Sequence, residues 1–265
     1  MSDPVLLRVQ DGLARITLNR PERLNAFNAD AAHAWAELTR EATHRDDVGA
    51  IMLDAAGRAF CAGGDVQDMA EKMGSGSEIT AFAEVINAGI RALTESRIPV
   101  VAAAHGTTAG GGLGILMASD YAIIATDSQI GSRYANIGLT PDLSVTAQLA
   151  RAVGERRALQ LVLQDRMLSA TEALEWGLVA EITAPDAVGL RAEEVARSWL
   201  TGAHRAYGEA KRLIRSQRGR SFAEQLSEEA RSIGAAFDTP EAQARIRAFT
   251  SRSRSARHPE PDPEA

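Results

Sequence analysis

The sequence contains only one cysteine and has no excess of positive charge. Cys61 is the single cysteine among 265 residues, which excludes an intrachain disulfide and is typical of a reducing compartment. The formal net charge is -6 at pH 7 and no basic face dominates, which argues against nucleic-acid binding. No apolar run is long enough to cross a bilayer, and no charged-then-apolar segment opens the chain. We therefore expect a cytoplasmic protein with neither a membrane nor a nucleic acid among its partners.

The motifs of three common enzyme classes are also missing. The chain has no Gly-x-x-x-x-Gly-Lys-Ser/Thr, no Gly-x-Ser-x-Gly and no His-Glu-x-x-His, so a P-loop, a serine-hydrolase turn and a zincin site are unsupported. The five histidines show no ligand spacing, and we expect no metal. Residues 110–114 resemble a dinucleotide turn only superficially, because Ile115 stands where the spaced third glycine belongs.

The most informative stretch of the chain is residues 99–121. An apolar run of strand character, residues 100–104, leads through a small-residue loop to three glycines at 110–112 and then into a helical run. Glycine lets the backbone approach a ligand, and the first N–H groups of a helix have no carbonyl partner of their own. The pattern therefore predicts a site for an anion or a developing oxyanion.

A second glycine turn lies some fifty residues earlier, at residues 57–66, again between a predicted strand and a predicted helix. Asp65 suits the start of that helix as a cap, and the neighbouring Cys61 is interpreted as a packing residue. Two backbone N–H groups that converge from different turns on one carbonyl oxygen would form an oxyanion hole. The alternative, which the spacing leaves open, is that both turns simply connect strands to helices.

Strands alternate with helices early in the chain and helices close it, so we predict an α/β fold with a helical C-terminal part. Asp11-Gly12 between two apolar runs predicts a β-hairpin. Asn28 is expected to cap a helix that ends near Thr43. Hydrophobic spacing also predicts one helix over residues 147–163 and a last strand over residues 178–182.

Five blocks in a fixed order carry a resemblance to a known family. They are residues 20–26 (RPERLNA), 59–65 (AFCAGGD), 109–114 (AGGGLG), 137–142 (IGLTPD) and 173–179 (ALEWGLV). Together they resemble the enoyl-CoA hydratase/isomerase (crotonase) superfamily, and the match covers residues 5–250. Five blocks in the right order are far more specific than any one of them.

The resemblance implies a crotonase-like spiral of ββα units with a C-terminal helical part used in trimerisation. The spiral core with the acyl-CoA site would span residues 1–195, the helical part residues 196–250, and a disordered tail residues 251–265. The assembly it implies is a homotrimer, or a hexamer made of two trimers.

The resemblance also implies an acyl-CoA thioester as substrate, with coenzyme A as part of that substrate and no further cofactor. Its carbonyl oxygen would be held by the backbone N–H groups of Gly64 and Gly111. The implied substrate-binding residues are Arg23, Leu24, Ala62 and Tyr134. Arg20 also falls where the family places basic residues against CoA phosphates, and a solvated surface arginine is an equal alternative for it.

Two departures from the family pattern argue against a hydratase. Family hydratases carry two glutamates, and the matching positions here hold Gly114 and Tyr134. Syn addition of water needs one group to deprotonate it and another to protonate the α-carbon. Neither glycine nor an ordinary tyrosine, whose pKa is about 10, replaces a carboxylate in that role.

Asp142 is the remaining carboxylate at a family-relevant position. In isomerases of the ring-oxepin and Δ3,Δ2-enoyl-CoA type, an aspartate at this position shuttles a proton between the α- and γ-carbons of the substrate. The resemblance implies the same role for Asp142. The same position is the nucleophile in 4-chlorobenzoyl-CoA dehalogenase, but that enzyme's histidine and tryptophan align with Asn87 and Tyr134 here. Because Asp142 precedes a predicted helix, it is alternatively only an N-cap.

Three hypotheses follow from these residues. The first is an isomerase that moves a double bond of an enoyl-CoA through an enolate, with Asp142 as acid and base. The second is a CoA-thioester hydrolase, dehalogenase or lyase in which Asp142 attacks or activates water. The third is a non-catalytic acyl-CoA binder that keeps the carbonyl site without the chemistry.

Overall fold

The computed structural model describes residues 3–164 and 166–257, with side chains described up to residue 251. The strands are β1 (Val5–Gln10), β2 (Leu13–Leu18), β3 (Ala50–Ala55), β4 (Val100–Ala104), β5 (Thr107–Ala109), β6 (Tyr121–Ala125), β7 (Gln129–Gly131), β8 (Leu168–Ser169) and β9 (Glu181–Thr183). The helices are α1 (Ala29–His44), α2 (Val66–Lys72), α3 (Gly76–Glu95), α4 (Gly111–Met117), α5 (Val145–Val153), α6 (Glu155–Leu163), α7 (Ala170–Glu175), α8 (Val188–Thr201), α9 (His204–Ser216), α10 (Phe222–Phe237) and α11 (Pro240–Arg257).

The strands form two sheets. The larger sheet has six strands in the order β1-β2-β3-β4-β6-β9, and all of its neighbours are parallel except β1 and β2. The smaller sheet has the order β5-β7-β8, with β5 parallel and β8 antiparallel to β7. Because β5 directly follows β4 and leads into α4, the chain passes from the first sheet to the second at the glycine-rich stretch.

The hairpin and the first helix cap predicted from sequence are confirmed. β1 and β2 pair antiparallel around Asp11 and Gly12, whose φ angles of 50° and 82° fit a two-residue hairpin turn. Asn28 precedes α1, and its side chain accepts a hydrogen bond from the Ala31 N–H at 3.0 Å. Both features depend on residues that are neighbours in sequence, which is why local patterns find them.

The central strands β3 and β4 of the six-stranded sheet are buried on both faces. Along β3, Ile51 and Leu53 point into the main core, whereas Met52 belongs to a second cluster that includes Val101 of β4. Helix α8 closes this second face with apolar side chains, among them Ala192. Strands covered on both faces need near-continuous apolar sequence, and that explains why residues 100–104 read as an uninterrupted apolar run.

Three elements differ from the sequence-based expectation. The single helix predicted over residues 147–163 is two helices, α5 and α6, because Gly154 at φ 80° and ψ 156° leaves the helical region between them. The small-residue loop after β4 contains the short strand β5, which the pattern did not predict. The last strand predicted over residues 178–182 is observed only at Glu181–Thr183.

The chain divides into two compact units, residues 1–204 and 205–265. The division predicted at residues 195/196 falls inside α8. Within the second unit, Arg212 of α9 makes an ion pair at 2.8 Å with Glu228 of α10 and donates a hydrogen bond to Ser232. Helix α11 continues through Arg257, and the rest of the tail predicted as disordered, residues 258–265, lies outside the described residues.

Helix α10 of the second unit exposes a row of large apolar side chains. They are Phe222, Leu226, Ile233 and Phe237. Their spacing of four, seven and four residues places them on one face of the helix. The homotrimer or hexamer implied by the family resemblance stays a prediction. Among the described residues, no helix is both long and apolar enough to span a membrane.

Hydrogen bonds to the Glu181 carboxylate, whose pKa is strongly lowered, connect the edge strand β9 to strand β6 and helix α8. Glu181 accepts hydrogen bonds from Arg191 of α8 at 2.8 and 2.9 Å and from the Tyr121 hydroxyl of β6 at 2.7 Å. These bonds, that of Arg191 first, lower the pKa of Glu181 to about 2. The ionised form of Glu181 is therefore favoured in the folded protein relative to the unfolded chain.

The folded-state pKa of Glu181 lies below its unfolded value, so its stabilisation is present above that value and is lost as pH falls towards about 2. We expect Glu181→Gln to lower the free energy of unfolding at pH 7 and to have progressively less effect as the pH falls from about 5. Urea unfolding at a series of pH values measures this, with the exposed Glu95→Gln as control. A destabilisation by Glu181→Gln that is independent of pH would contradict the prediction.

Candidate active site

The first glycine turn is fixed by pairing with the backbone of Phe27. The Phe27 N–H donates to the Gly63 carbonyl at 2.8 Å, and the Asp65 N–H donates to the Phe27 carbonyl at 2.8 Å. In this parallel bridge the intervening residue, Gly64, directs its own N–H away from Phe27. The Gly64 N–H has no hydrogen-bond acceptor within the described part of the chain.

The second glycine turn opens α4. The Gly110 N–H donates to the Gly131 carbonyl at 3.2 Å, and Gly110 takes a φ of 53° that favours glycine. Gly111 is the first residue of the helix, so its N–H has no intrahelical acceptor. Over residues 3–164 and 166–257 no other group accepts a hydrogen bond from it.

The two turns are in close contact, and the contact requires glycine. Gly63 has a φ of 105°, and a Cβ atom there would lie 3.0 Å from the Ala109 carbonyl oxygen and 3.1 Å from the Gly111 nitrogen. A side chain at position 63 would therefore push the turns apart. The two residues with unpaired N–H groups, Gly64 and Gly111, thus lie on adjoining turns.

Cys61 braces the first turn from inside the core. Its thiol donates to the Asn25 carbonyl at 3.2 Å, and the Gly63 N–H donates to its sulfur at 3.4 Å. Burial raises the pKa of Cys61 to about 12, so the group stays a neutral thiol. This arrangement agrees with the interpretation of Cys61 as a packing residue.

The loop over residues 20–26 is attached to the same turn. Leu24 adopts a left-handed conformation with φ 51°, and its carbonyl accepts the Ala62 N–H at 3.0 Å. The buried Asn25 side chain donates to the carbonyls of Ala56 and Ala59, both at 2.8 Å. Leu24 and Ala62, two of the predicted substrate-binding residues, are therefore adjacent and half-buried.

The two arginines of this loop have different environments. Arg20 is only 15% exposed and forms an ion pair with Asp65 at 3.1 Å, so the interpretation as a solvated surface arginine is wrong. Asp65 also accepts the Asp68 N–H at 3.3 Å, which confirms it as the cap of α2. Arg23 is exposed and donates to the Gln67 side chain at 2.8 Å. Arg23 is thus the arginine of the pair that solvent reaches.

Asp142 is paired with Tyr134. The Tyr134 hydroxyl donates to Asp142 Oδ1 at 2.6 Å. Tyr134 is only 9% exposed, and burial, followed by the charge of Asp142, raises the pKa of its hydroxyl. Asp142 is exposed as a residue, but burial of its carboxyl group still raises its pKa, and the bond from Tyr134 partly offsets that rise.

The pair was not predicted from sequence, where Tyr134 was expected as a substrate-binding residue and not as a partner of Asp142. The alternative that Asp142 is a helix N-cap is wrong. The N-cap of α5 is Ser144, at φ 69°, and no side chain caps this helix. Asp142 contributes its backbone carbonyl instead, which accepts the Val145 N–H at 2.9 Å. Its carboxylate is therefore directed to Tyr134 and not to the helix.

Leu143 connects Asp142 to the second glycine turn. It is buried in a left-handed conformation with φ 46°, and its Cδ1 lies 2.5 Å from where a Cβ of Gly111 would be. A Cβ at Gly114 would collide with the Leu143 carbonyl oxygen. The position that holds a glutamate in family hydratases is thus closed by backbone. The sequence did not identify Leu143 as a residue of the site. The one indication in the sequence is the glycine at position 114, where a side chain would collide with the Leu143 backbone.

Histidine and acidic side chains near these turns are not arranged as metal ligands. His105, next to the end of β4, makes a 2.8 Å hydrogen bond with the Gly57 carbonyl through Nε2. No group of three or more His, Cys, Asp or Glu within the described ranges is placed to hold a metal ion.

Comparison with known proteins assigns this arrangement to one fold and family. The profile of the enoyl-CoA hydratase/isomerase family matches residues 8–256. The chain is 32% identical over 228 residues to a 1,2-epoxyphenylacetyl-CoA isomerase of Escherichia coli strain K12. The aligned region covers 85% of this chain and 87% of that protein. It is 31% identical over 246 residues to 4-chlorobenzoyl coenzyme A dehalogenase-2 of an Arthrobacter species, covering 91% and 88%.

The structural comparison agrees. The crystal structure of an enoyl-CoA hydratase from Mycobacterium smegmatis matches with a TM-score of 0.88 at 25% identity and covers 94% of this chain and 96% of that one. The fold is therefore the crotonase fold, as the resemblance implied. The chain belongs to the enoyl-CoA hydratase/isomerase family. Its relatives are named as isomerases, hydratases and dehalogenases, so membership defines acyl-CoA processing without selecting one reaction.

The contact between the two turns makes a stability prediction. Gly63→Ala is expected to lower the free energy of unfolding by about 1–2 kcal/mol or more, because φ 105° is strained for alanine and its Cβ crowds the second turn. Gly76→Ala is the matched control, since a Cβ at Gly76 meets nothing within 4 Å at the start of α3. That variant is expected to be neutral or stabilising by less than about 1 kcal/mol. Equal stability of the two variants in urea unfolding would contradict the prediction.

Proposed function

We propose that this protein is an enoyl-CoA isomerase that moves a carbon–carbon double bond through an enolate, with Asp142 as acid and base. The observation that carries the proposal is the environment of Asp142. Its Oδ1 accepts the Tyr134 hydroxyl, and no other side chain in the described structure donates to its carboxylate. Leu143, the next residue, contacts the turn that holds Gly111. The Asp142 carboxylate is thereby linked through the neighbouring Leu143 to the second glycine turn.

The first step is polarisation of the thioester. In the proposal, the N–H groups of Gly64 and Gly111 donate to the thioester carbonyl oxygen, which gains negative charge as the α-proton leaves. Both N–H groups lack an acceptor among the residues that the structure describes, so no hydrogen bond within those residues has to break. Donors held rigidly where charge develops are worth about a hundred- to a thousand-fold in rate for each donor.

The second step is proton transfer by one carboxylate. Asp142 takes the proton from the α-carbon of a 3-enoyl thioester, and the electrons of that C–H bond delocalise into the enolate. The same carboxyl group then returns the proton to the γ-carbon, while the double bond moves from C3–C4 to C2–C3. Burial raises the pKa of Asp142, which brings it closer to the value at which a carboxyl group both accepts and donates a proton near neutral pH.

Hydration is disfavoured by the same geometry. Addition of water needs a second acid/base group opposite the first, and Gly114 and Tyr134 stand where family hydratases carry glutamates. Tyr134 is neutral, because burial raises its pKa above its ordinary value. The Leu143 backbone fills the space beside Gly114. Isomerisation needs one acid/base group, and the site offers one.

The remaining predicted residues are assigned to substrate binding. Arg23 is proposed to contact the phosphates of coenzyme A, since its guanidinium is exposed and held only by the neutral Gln67 side chain among the contacts described. Leu24 and Ala62 lie next to the first glycine turn and are proposed to contact the thioester end. No cofactor besides the coenzyme A of the substrate enters this mechanism.

Dehalogenation or hydrolysis with Asp142 as nucleophile is the second candidate function. The similarity to a 4-chlorobenzoyl-CoA dehalogenase favours it. It would form an ester between Asp142 and the acyl group's ring, releasing chloride, and water would then hydrolyse that ester. Asn87, which aligns with the dehalogenase histidine, lies on α3, contacts Glu84 of the same helix, and cannot act as a base. An isomerase is therefore the better-supported function.

A substrate panel tests the proposal. The protein, Asp142→Asn and the control Asp46→Asn are incubated with 3-enoyl-CoA, 2-enoyl-CoA and chlorinated aryl-CoA thioesters, and products are followed by mass spectrometry and NMR. We expect conversion of 3-enoyl-CoA to 2-enoyl-CoA without a change in mass. Asp142→Asn should lower this rate about a hundred- to ten-thousand-fold, and Asp46→Asn should leave it unchanged.

The label position gives an independent readout. A 3-enoyl-CoA deuterated at the α-carbon should yield product that retains part of the deuterium at the γ-carbon, because one carboxylate carries it. Addition of water or release of chloride without isomerisation would support the second candidate function instead. Binding without turnover across the panel would support an acyl-CoA binder. Full isomerase rate in Asp142→Asn would show that Asp142 is not the base.

Restoring the missing glutamate should not create a hydratase. Gly114→Glu is expected to destabilise the protein and to leave hydration of 2-enoyl-CoA at background, because any Cβ at position 114 collides with the Leu143 carbonyl. Gly114→Ala should cause a similar loss of stability, which separates the effect of the Cβ from that of the charge. Thermal unfolding and loss of the enoyl-thioester absorbance measure the two outcomes. A stable Gly114→Glu protein that hydrates 2-enoyl-CoA would contradict the prediction.

A further inference from the structure

We infer that Tyr134 is a positioning residue that holds Oδ1 of Asp142, so that Oδ2 alone carries the proton. This inference rests on the proposed function, in which Asp142 is the acid and base. The 2.6 Å bond from the Tyr134 hydroxyl is the one side-chain hydrogen bond that the described structure gives to the Asp142 carboxylate. The carboxylate oxygens are therefore not equivalent.

The position of the Tyr134 hydroxyl is fixed by its own surroundings. Tyr134 begins a short 3-10 turn, Tyr134–Ile137, and its backbone carbonyl accepts the Leu139 N–H at 3.2 Å. Its side chain is buried, whereas residues 135–140 after it are all exposed. The bond to Asp142 thus joins the far end of an exposed loop to a buried anchor. Without it, no side chain in the described structure would donate to the Asp142 carboxylate.

The protonation states of the pair fit this role. Burial and the nearby Asp142 charge raise the pKa of Tyr134, so the hydroxyl keeps its proton and remains the donor. The bond from Tyr134 acts in the opposite direction on Asp142 and lowers its pKa against the effect of burial. The titratable groups that act on the pair are the two partners and, on Tyr134, the Cys61 thiol. Tyr134 itself is too weak an acid to exchange protons with substrate at neutral pH.

A carboxylate that is fixed in one orientation transfers the proton on one face of the substrate. With Oδ1 occupied, rotation of the carboxyl group is restricted and Oδ2 faces one side of the substrate. Removal of the α-proton and its return to the γ-carbon then occur on the same face of the enolate. Restricting the reacting group to one geometry is a source of rate enhancement in its own right. Tyr134 therefore contributes to kcat without contacting the reacting carbons.

Tyr134→Phe tests the inference, since it keeps the ring and removes the hydroxyl. We expect kcat for 3-enoyl-CoA isomerisation to fall about tenfold or more while KM changes less than about twofold. The acid limb of the kcat/KM profile should move to higher pH by about one unit, because the ionised form of Asp142 loses a donor. The 13C signal of the Asp142 carboxyl group, assigned with Asp142→Asn, should titrate with the same shift in the absence of substrate.

Tyr121→Phe is the matched control. It removes a hydroxyl that donates to a carboxylate, that of Glu181, at the similar distance of 2.7 Å but on the edge of the large sheet. Its pH–rate profile and its Asp142 titration should equal those of the unmodified protein. A merely structural effect of losing a hydroxyl that donates to a carboxylate would lower stability in both variants without moving either pH–rate profile.

Different results would disprove the inference about Tyr134 and the proposed function. If Asp142→Asn abolishes isomerisation but Tyr134→Phe leaves the rate, the acid limb and the Asp142 titration unchanged, the inference about Tyr134 is wrong and the proposed function stands. If Asp142→Asn keeps the full rate, Asp142 is not the acid and base, and the proposed mechanism fails together with the inference about Tyr134. A Tyr134→Phe protein with a shifted Asp142 titration and a lowered kcat supports both.

Discussion

The candidate site depends on two backbone turns that touch where no side chain separates them. At Gly63, even a methyl group would meet the Ala109 carbonyl and the nitrogen of Gly111. Close packing of interiors leaves such a contact little freedom to relax, so the separation of the turns is set by backbone atoms. Everything that the site does with unpaired N–H groups requires this contact.

The surrounding residues maintain that contact from several directions. Cys61 and Asn25 hold the first turn from the core, while pairing with Phe27 fixes the direction of the Gly64 N–H. On the other side, Leu143 packs on Gly111 and continues directly into Asp142. The Asp142 carboxylate and the two glycine turns are thus parts of one packed assembly. A shift in one of them changes the geometry of the other.

Local features were predictable from sequence and long-range contacts were not. The Asp11-Gly12 hairpin, the Asn28 cap and the Asp65 cap each involve residues within three positions of one another, and residue type alone identifies them. The break at Gly154 was missed because a single glycine inside an apolar helical pattern is compatible with either outcome. The fold was predictable because five separate blocks occur along the chain in the order that the family has.

The interactions that define the candidate site are those that sequence could not give. Arg20 forms an ion pair with Asp65, which is 45 residues away, and no pattern in the sequence connects the two. Tyr134 reaches Asp142 across an irregular loop with no repeating spacing. Leu143 has a leucine's usual preference for burial, and nothing in the sequence indicates that its carbonyl occupies the space beside Gly114.

That last contact determines which residues position 114 accepts. The backbone of the 142–144 loop lies where a side chain at position 114 would begin. Any residue larger than glycine at position 114 therefore requires the loop to move, and the loop carries the Asp142 carboxylate. A substitution at position 114 thus changes the geometry of Asp142 even though the two residues are 28 positions apart in the sequence.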